Sequence, residues 1–224
     1  MKQRIGISVN FKKAKTPSKK NLNGKYVALE PININKHSKD LYANFSKDKE
    51  NRIWTYLPYG PFKTYVSFKK WLKSFCLNKD PFFYAIYAKR YKQYCGMASY
   101  LRITQEHGSI EVGHINYSPI LQNTAEGTEA MYLMKKNAFE VLGNRRYEWK
   151  CNNLNNDSKK AALRLGFKFE GVFRQMFVSK GRNRDSAWFS IIDKEWKKLK
   201  NAYQRFLKPS NFDNKLKQKK ELRI

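Results

Sequence analysis

The chain has 224 residues, with 46 Lys and Arg against 18 Asp and Glu, for a formal net charge of +28. At 41% hydrophobic and 15% aromatic it carries enough apolar surface for a core, which excludes a disordered chain. Its apolar runs are broken by charge well short of bilayer length, and its basic first residues lack the apolar stretch and cleavage site of a secretory signal, although their freedom from acids up to Glu30 leaves an organellar presequence open.

KYVALEPINI (residues 25–34) alternates as a strand does, and HSKDLYANFSK reads as a short helix capped by Ser38. RIWTYLPYGPF (52–62), with Pro58, Gly60 and Pro61, reads as a loop. In KTYVSFKKWLKSFCL, residues Val66, Trp71, Leu72 and Phe75 fall near one helical face. FFYAIYAK and YCGMASYLRI form a hairpin across KRYKQ, and SIEVGHINYSPI is a third β-rich run. TEAMYLMKKNAFEVLG spaces Met131, Met134, Ala138, Val141 and Leu142 as a helix and stops at Gly143. RRYEWKCN is the next strand. NNDSKKAALRLG is a short helix ending at Gly166, with Ala161, Ala162, Leu163, Leu165 and then Phe167 expected in the core. FKFEGVFRQMFVSKG and RDSAWFSIID pair around KGRNR. KEWKKLKNAYQRFLKP puts Trp196, Leu199, Tyr203, Phe206 and Leu207 on one face, and the lysine-rich end beyond it reads as frayed. The organisation is α+β: a basic extension over 1–24, one domain over 25–196, and a basic helix and tail over 197–224.

Cys76, Cys95 and Cys151 are odd in number and far apart, and neither they nor His37, His107 and His114 have metal-ligand spacing. This reads as a reducing, cytoplasmic setting with no structural metal and no membrane anchor. The positive charge invites a polyanion such as RNA or a ribosome, while the abundance of Lys, Asn, Ile, Tyr and Phe also fits AT-rich coding bias.

LQNTAEGTEA (121–130) stands where a strand ends and a helix begins. A helix N-terminus offers unpaired N–H groups and the positive end of the helix dipole, which suits a pyrophosphate. Asn123 followed by Glu126 equally resembles a capping pair, so the stretch alone leaves cradle and cap open. A second constellation follows: Asn155 and Ser158 open a short helix, Gly166 and Phe167 close it, and Glu170 and Gly171 begin the next strand.

These motifs in this order resemble the GNAT superfamily of acyl-CoA-dependent N-acetyltransferases, and within it the RimJ/RimL type that acetylates ribosomal-protein N-termini. The resemblance runs from about Lys25 to Trp196. It rests on Gln122-Asn123-Thr124-Ala125-Glu126-Gly127, Asn155-Asn156-Asp157-Ser158, Leu165-Gly166-Phe167 and Phe169-Glu170-Gly171, with WTYLPYGPF and GRNRDSAWFSIID also similar to bacterial members. It implies a mixed, splayed, mostly antiparallel seven-stranded sheet flanked by helices, with acetyl-CoA as cosubstrate. The amides of Gln122 to Thr128 would hold the pyrophosphate, a strand amide near Tyr117 or Ser118 would bind the thioester carbonyl, and Asn155 would contact the pantetheine arm or the loop. Two departures stand out: Ala125 replaces a usual glycine and would strain the turn if it needed a positive φ, and Ala162 replaces a tyrosine general acid found in many members.

Acetyl transfer needs a neutral amine, and an α-amine (pKa near 8) or a lysine (near 10.4) must lose a proton to a base. By resemblance Glu170 is the first choice, with its pKa expected to be raised by burial against Phe167 and Phe169, and Glu111 is the alternative. Ser158 would donate to the leaving thiolate. Trp54, Tyr56, Pro58, Tyr59 and Gly60, with Trp188, would line the acceptor slot, Trp54 standing equally well as a buried anchor. The acceptor is expected to be a protein N-terminal α-amine. The alternatives are a small amine such as an antibiotic, polyamine or aminoacyl nucleotide, or a non-catalytic basic relative that binds RNA or the ribosome. A monomer and a homodimer are equally compatible with the sequence.

Overall fold

The computed structural model describes residues 3–214 and 217–224. Eight strands form one sheet: β1 (Leu22–Asn23), β2 (Val27–Pro31), β3 (Phe82–Ala88), β4 (Gln93–Thr104), β5 (Ser109–Tyr117), β6 (Arg146–Asn152), β7 (Lys168–Ser179) and β8 (Arg182–Ile192). Their order is β1-β2-β3-β4-β5-β6-β8-β7. Among the described residues, only β5 and β6 pair in parallel. The eighth strand, beyond the expected seven, is the two-residue β1 at the sheet edge.

Five helices cover the sheet: α1 (Ile34–Phe45), α2 (Tyr65–Phe75), α3 (Ala125–Lys136), α4 (Asn156–Arg164) and α5 (Asp193–Phe206). Alternate residues of a strand face opposite sides, so each strand feeds two cores. Leu29, Tyr84, Tyr100, Val112, Tyr147 and Phe189 pack with α3, α4 and α5. Phe83, Ala85 and Met97 pack on the other face with Leu41, Phe45, Phe68 and Leu72 of α1 and α2. The α1–α2 layer stops at β4, and the same face of β5, β6 and β8 carries polar and charged side chains. That bare face borders the candidate functional site.

Several local expectations need correction. α1 begins at Asn33, whose side chain accepts from the Lys36 amide, while Ser38 is buried inside the helix against the Tyr65 hydroxyl. Val66 and Leu163 are exposed, because each helix is narrower on its buried side than the apolar spacing suggested, and Val141 is exposed at the end of a π-helical turn, Asn137–Val141, that follows α3. The C-terminal end is folded rather than frayed: Phe212 and Leu222 join the core, and Asn211 closes the segment by pairing with the backbone of Lys219 and Lys220. The basic lead-in is also tied down, with Ala14 buried and its amide donating to the Gln105 carbonyl.

Two buried charges on α3 hold the architecture. The Glu129 carboxylate accepts from the amides of Lys25, Tyr26 and Val27 at 2.8, 2.6 and 2.9 Å, which pins the β1–β2 turn to the helix. Gly24 is required there, since a Cβ would lie 2.5 Å from that carboxylate. Lys135 is fully buried, with Nζ donating to the Leu165 carbonyl and the Tyr203 hydroxyl, both at 2.6 Å, and no acid in its hydrogen-bond shell. Burial, reinforced by Arg164, drives its pKa well below the ordinary 10.5.

A depressed lysine pKa means that the unfolded chain holds the extra proton between the folded pKa and 10.5. Stability should therefore rise with pH in that window, by up to about 1.4 kcal/mol per pH unit. In denaturant titrations from about pH 7 to 10, the wild type should gain on Lys135→Met, whose core keeps the Tyr203 to Leu165 hydrogen bond. Parallel stability curves would show that Lys135 is charged in the folded chain.

Candidate functional site

Parallel pairing of β5 with β6 runs from Ser109–Arg146 to Val112–Trp149 and then ends. At this point β5 bulges against β4: Ser99 faces Gly113 but Met97 faces Asn116, with His114 at φ 49°. A bulge adds a residue to one strand and bends it. Here it turns the end of β5 away from β6 and opens a gap in the sheet. The Ser118 amide donates to the Cys95 carbonyl on the β4 side, so strand alternation directs the Tyr117 amide toward β6 and into the gap. Of the two amides expected to meet a carbonyl, Ser118 is already engaged and Tyr117 is not.

Thr124 caps α3 by accepting from the Gly127 amide at 3.0 Å, so the expected Asn123–Glu126 capping pair is corrected. Asn123 takes the left-handed conformation at φ 57°, and Ala125 is simply the first helical residue, with no positive φ. The turn therefore places its strain on an asparagine, a residue that tolerates that region, and Ala125 costs nothing. Gly127 does carry a steric requirement: a Cβ would come within 2.8 Å of the Leu121 carbonyl and 2.9 Å of the Tyr117 ring. Gln122 spans the turn, donating to the Tyr117 carbonyl at 2.9 Å.

Among the described residues, no acceptor meets the amides of Asn123, Thr124, Ala125 and Glu126. The first three of these residues border a cavity of about 270 Å³ that is also lined by Thr128, Arg164 and Lys217. Arg164 is held by donating to the Thr128 hydroxyl at 3.0 Å. Lys217 comes from the folded C-terminal segment. Free amides, a helix start and two cations are what a pyrophosphate needs. Deeper in the gap, the Ser118 hydroxyl and both polar atoms of Asn116 are buried without partners. Orphaned polar atoms at this depth are costly unless a ligand satisfies them, so this end of β5 fits an amide-bearing arm such as pantetheine.

The other wall is α4. Asn155 caps it by accepting from the Ser158 amide at 3.0 Å. The Ser158 hydroxyl accepts from the Trp149 indole at 3.0 Å and lies against Cys151. Its own proton faces the Cys151 sulfur, to which it hydrogen-bonds. Ala162 is buried in the core, so no acid projects from that position.

The two carboxylates differ sharply. Glu170 lies toward the paired end of β6, where both its oxygens accept from Arg146 and one also accepts from Ser190. The Arg146 hydrogen bonds outweigh burial and hold its pKa below the ordinary range, and Phe169 beside it is largely exposed. The expectation of a raised Glu170 pKa is thus corrected: an arginine fork, not an apolar pocket, surrounds it. Glu111 on β5 is 3% exposed, and burial raises its pKa against the opposing pull of Lys150 and Arg102. Oε2 takes both cations, Arg102 at 2.8 Å and Lys150 at 3.0 Å, which leaves Oε1 beside Gly113. Next to it, burial lowers the His114 pKa to about 4, so the imidazole is neutral and pairs with the Tyr59 hydroxyl at 3.0 Å.

The aromatic loop has divided roles. Trp54 is buried among Phe45, Phe62 and Trp71, an anchor rather than a slot wall, and Gly60 at φ 65° is needed because a Cβ would strike the Trp54 ring. Tyr56 reaches across to donate to the Leu154 carbonyl at 3.2 Å, linking the loop to the β6–α4 turn. Tyr59 meets β5 at His114, and Pro58 is exposed between the two tyrosines. Trp188 stacks on Phe173 with Lys150 over its ring at 3.5 Å. Sequence reading missed His114, Asn116, Trp149, Lys150 and Arg184. The signal was present in SIEVGHINYSPI, where His and Asn interrupt an otherwise apolar strand.

The family model described as an Acetyltransferase (GNAT) domain matches residues 27–168. A GCN5-related N-acetyltransferase from Brucella melitensis is 43% identical, covering 95% of this chain and 96% of its own, with a TM-score of 0.93. A probable acetyltransferase of the GNAT family from Chromobacterium violaceum is 38% identical over 88% of this chain and 98% of its own, with a TM-score of 0.80. A RimL ribosomal L7/L12 α-N-protein acetyltransferase solved with coenzyme A shares the fold at 17% identity and a TM-score of 0.66, covering 78% of this chain and 99% of its own. No curated protein matches the chain.

Restoring the usual glycine with Ala125→Gly should leave acetyl-CoA affinity unchanged and cost at most about 1 kcal/mol of helix stability. Gly127→Ala should displace Tyr117 and the loop, destabilise the fold by roughly 1–3 kcal/mol and weaken acetyl-CoA. Calorimetric affinity together with thermal unfolding measures both. Tighter binding by Ala125→Gly would show that the methyl obstructs the cradle.

Proposed function

The chain belongs to the GNAT family of acetyltransferases, and from that premise we propose that it acetylates a protein N-terminal α-amine presented on the open face of β5, β6 and β8, in the manner of the RimJ/RimL type. Members of the family use acetyl-CoA, which supplies an acetyl group activated as a thioester. The observation that carries the reading is the gap itself, with a free Tyr117 amide on one wall, Ser158 on the other and a buried Glu111 on the acceptor side.

Asn123 to Glu126 would receive the pyrophosphate with their amides, assisted by Arg164 and Lys217, and Asn116 and Ser118 would hold the arm. The Tyr117 amide donates to the carbonyl oxygen as negative charge grows there, which favours the transition state over the ground state. Glu111, rather than Glu170, takes the amine proton, directly or through one water, because burial raises its pKa and its two cations share Oε2 and leave Oε1 free, whereas both Glu170 oxygens are taken by Arg146. The proton leaves the amine as the new C–N bond forms, and the thiolate released as the C–S bond breaks takes the hydrogen bond of Ser158. An α-amine suits this base better than a lysine, since its pKa near 8 leaves part of it neutral at pH 7. The loop from Tyr56 to Tyr59, braced at Leu154 and His114, would border the acceptor.

Glu111→Gln should lower turnover about a hundredfold or more with little change in acetyl-CoA affinity, while Glu170→Gln should keep most activity. The reverse pattern would return the base to Glu170. An intact-mass screen with peptides and small amines tests the acceptor, and transfer to small amines alone would overturn the N-terminal reading.

A further inference from the structure

The open face carries a row of alternating charges. Arg102 pairs Glu111, Lys150 pairs Glu111 and Glu148, and Arg146 pairs Glu148 and Glu170. Every acid in the row is paired, and every cation but one. The exception is Arg184, two residues beyond the Asn152–Ser186 pair that ends β6. Same-side alternation along β8 puts it in line with Ser186 and Trp188. Its Nε is buried with no hydrogen-bond partner, and it makes no ion pair among the described residues. Its guanidinium instead lies 5.5 Å from the Phe177 ring, with Arg102 at 5.8 Å from the same ring. Two guanidinium groups on one ring repel each other, and although Glu111 attracts both, only Arg102 is in contact with it. Nearby Ser186 and Trp188 also leave their polar hydrogens unpartnered and buried.

A half-buried guanidinium without an acceptor is unfavourable unless something supplied from outside completes it. Its planar fork matches a carboxylate. We propose that Arg184 is a specificity residue for the acceptor, and that the acceptor amine carries a carboxylate close to the reacting nitrogen. This rests on the reading of the open face as the acceptor side and narrows its substrate class. The carboxylate has two sources: the α-carboxylate of a free amino acid, or an acidic side chain next to the N-terminus of a peptide. Trp188, stacked on Phe173, walls the position, and the unpartnered Ser186 hydroxyl and Trp188 indole are further donors for the same group.

The test uses the full chain with acetyl-CoA and two matched probe pairs. One pair is alanine against alaninamide, and the other is Ala-Asp-Ala-amide against Ala-Asn-Ala-amide. The wild type should favour the carboxylate member of at least one pair about tenfold or more in kcat/KM, and the pair that shows the preference identifies the source. Arg184→Gln should abolish the preference, mainly through KM, and Arg184→Lys should restore part of it. Equal transfer to charged and neutral probes, or a preference that survives Arg184→Gln, overturns the assignment while the acetyl-transfer reading stands. Transfer to none of the four probes, with acetyl-CoA bound, overturns the α-amine reading and the assignment with it.

Discussion

Four rungs of parallel pairing hold β5 against β6, and the bulge at His114 then bends β5 away. The sheet could have continued, since β6 runs on to Asn152 and β5 to Tyr117. Each lost rung leaves backbone groups unpaired, an expensive arrangement that persists only where the surroundings enforce it. α3 enforces it from one side: Gly127 lets the helix start press directly on the Tyr117 ring. The neutral His114, clamped by Tyr59 and Phe75, enforces it from the other. The gap, the free Tyr117 amide and the helix start are thus one construction.

Buried charge is handled in three ways. Glu129 is satisfied by three backbone amides, so it fastens the sheet edge to α3. Lys135 has only neutral partners and is pushed toward its uncharged form. The open face uses mutual pairing, a chain of arginine, lysine and glutamate across four strands. In that setting an unmatched cation is conspicuous, because the same face satisfies every other charge. Arg184 is where the internal pairing stops and an external partner is needed.

The fold was legible because its strands alternate and its helices carry long apolar stripes, and the order of the loop and helix motifs identified the family. Other features were not legible, for definite reasons. Glu170 and Glu111 look alike in sequence, and only the sheet order separates a part-exposed carboxylate with both oxygens on Arg146 from a buried one that keeps an oxygen free. Ala125 looked like a defect in a glycine pattern until the left-handed position proved to be Asn123. The lysine-rich end looked frayed because its anchors, Phe212 and Leu222, are single apolar residues among charges. Trp54 could be an anchor or a slot wall on composition alone, and Gly60 closing over its ring decides for the anchor. Arg184 was hidden because an unmatched cation is defined by what its neighbours have already paired.

The central claim is that the parted end of β5 and the start of α3 together receive acetyl-CoA. Residue-resolved amide exchange with and without acetyl-CoA tests it most directly. The account predicts strong slowing at the Tyr117 amide and over residues 123–126, with β7 unaffected. Binding that leaves those amides exchanging as before, and protects others instead, would contradict it.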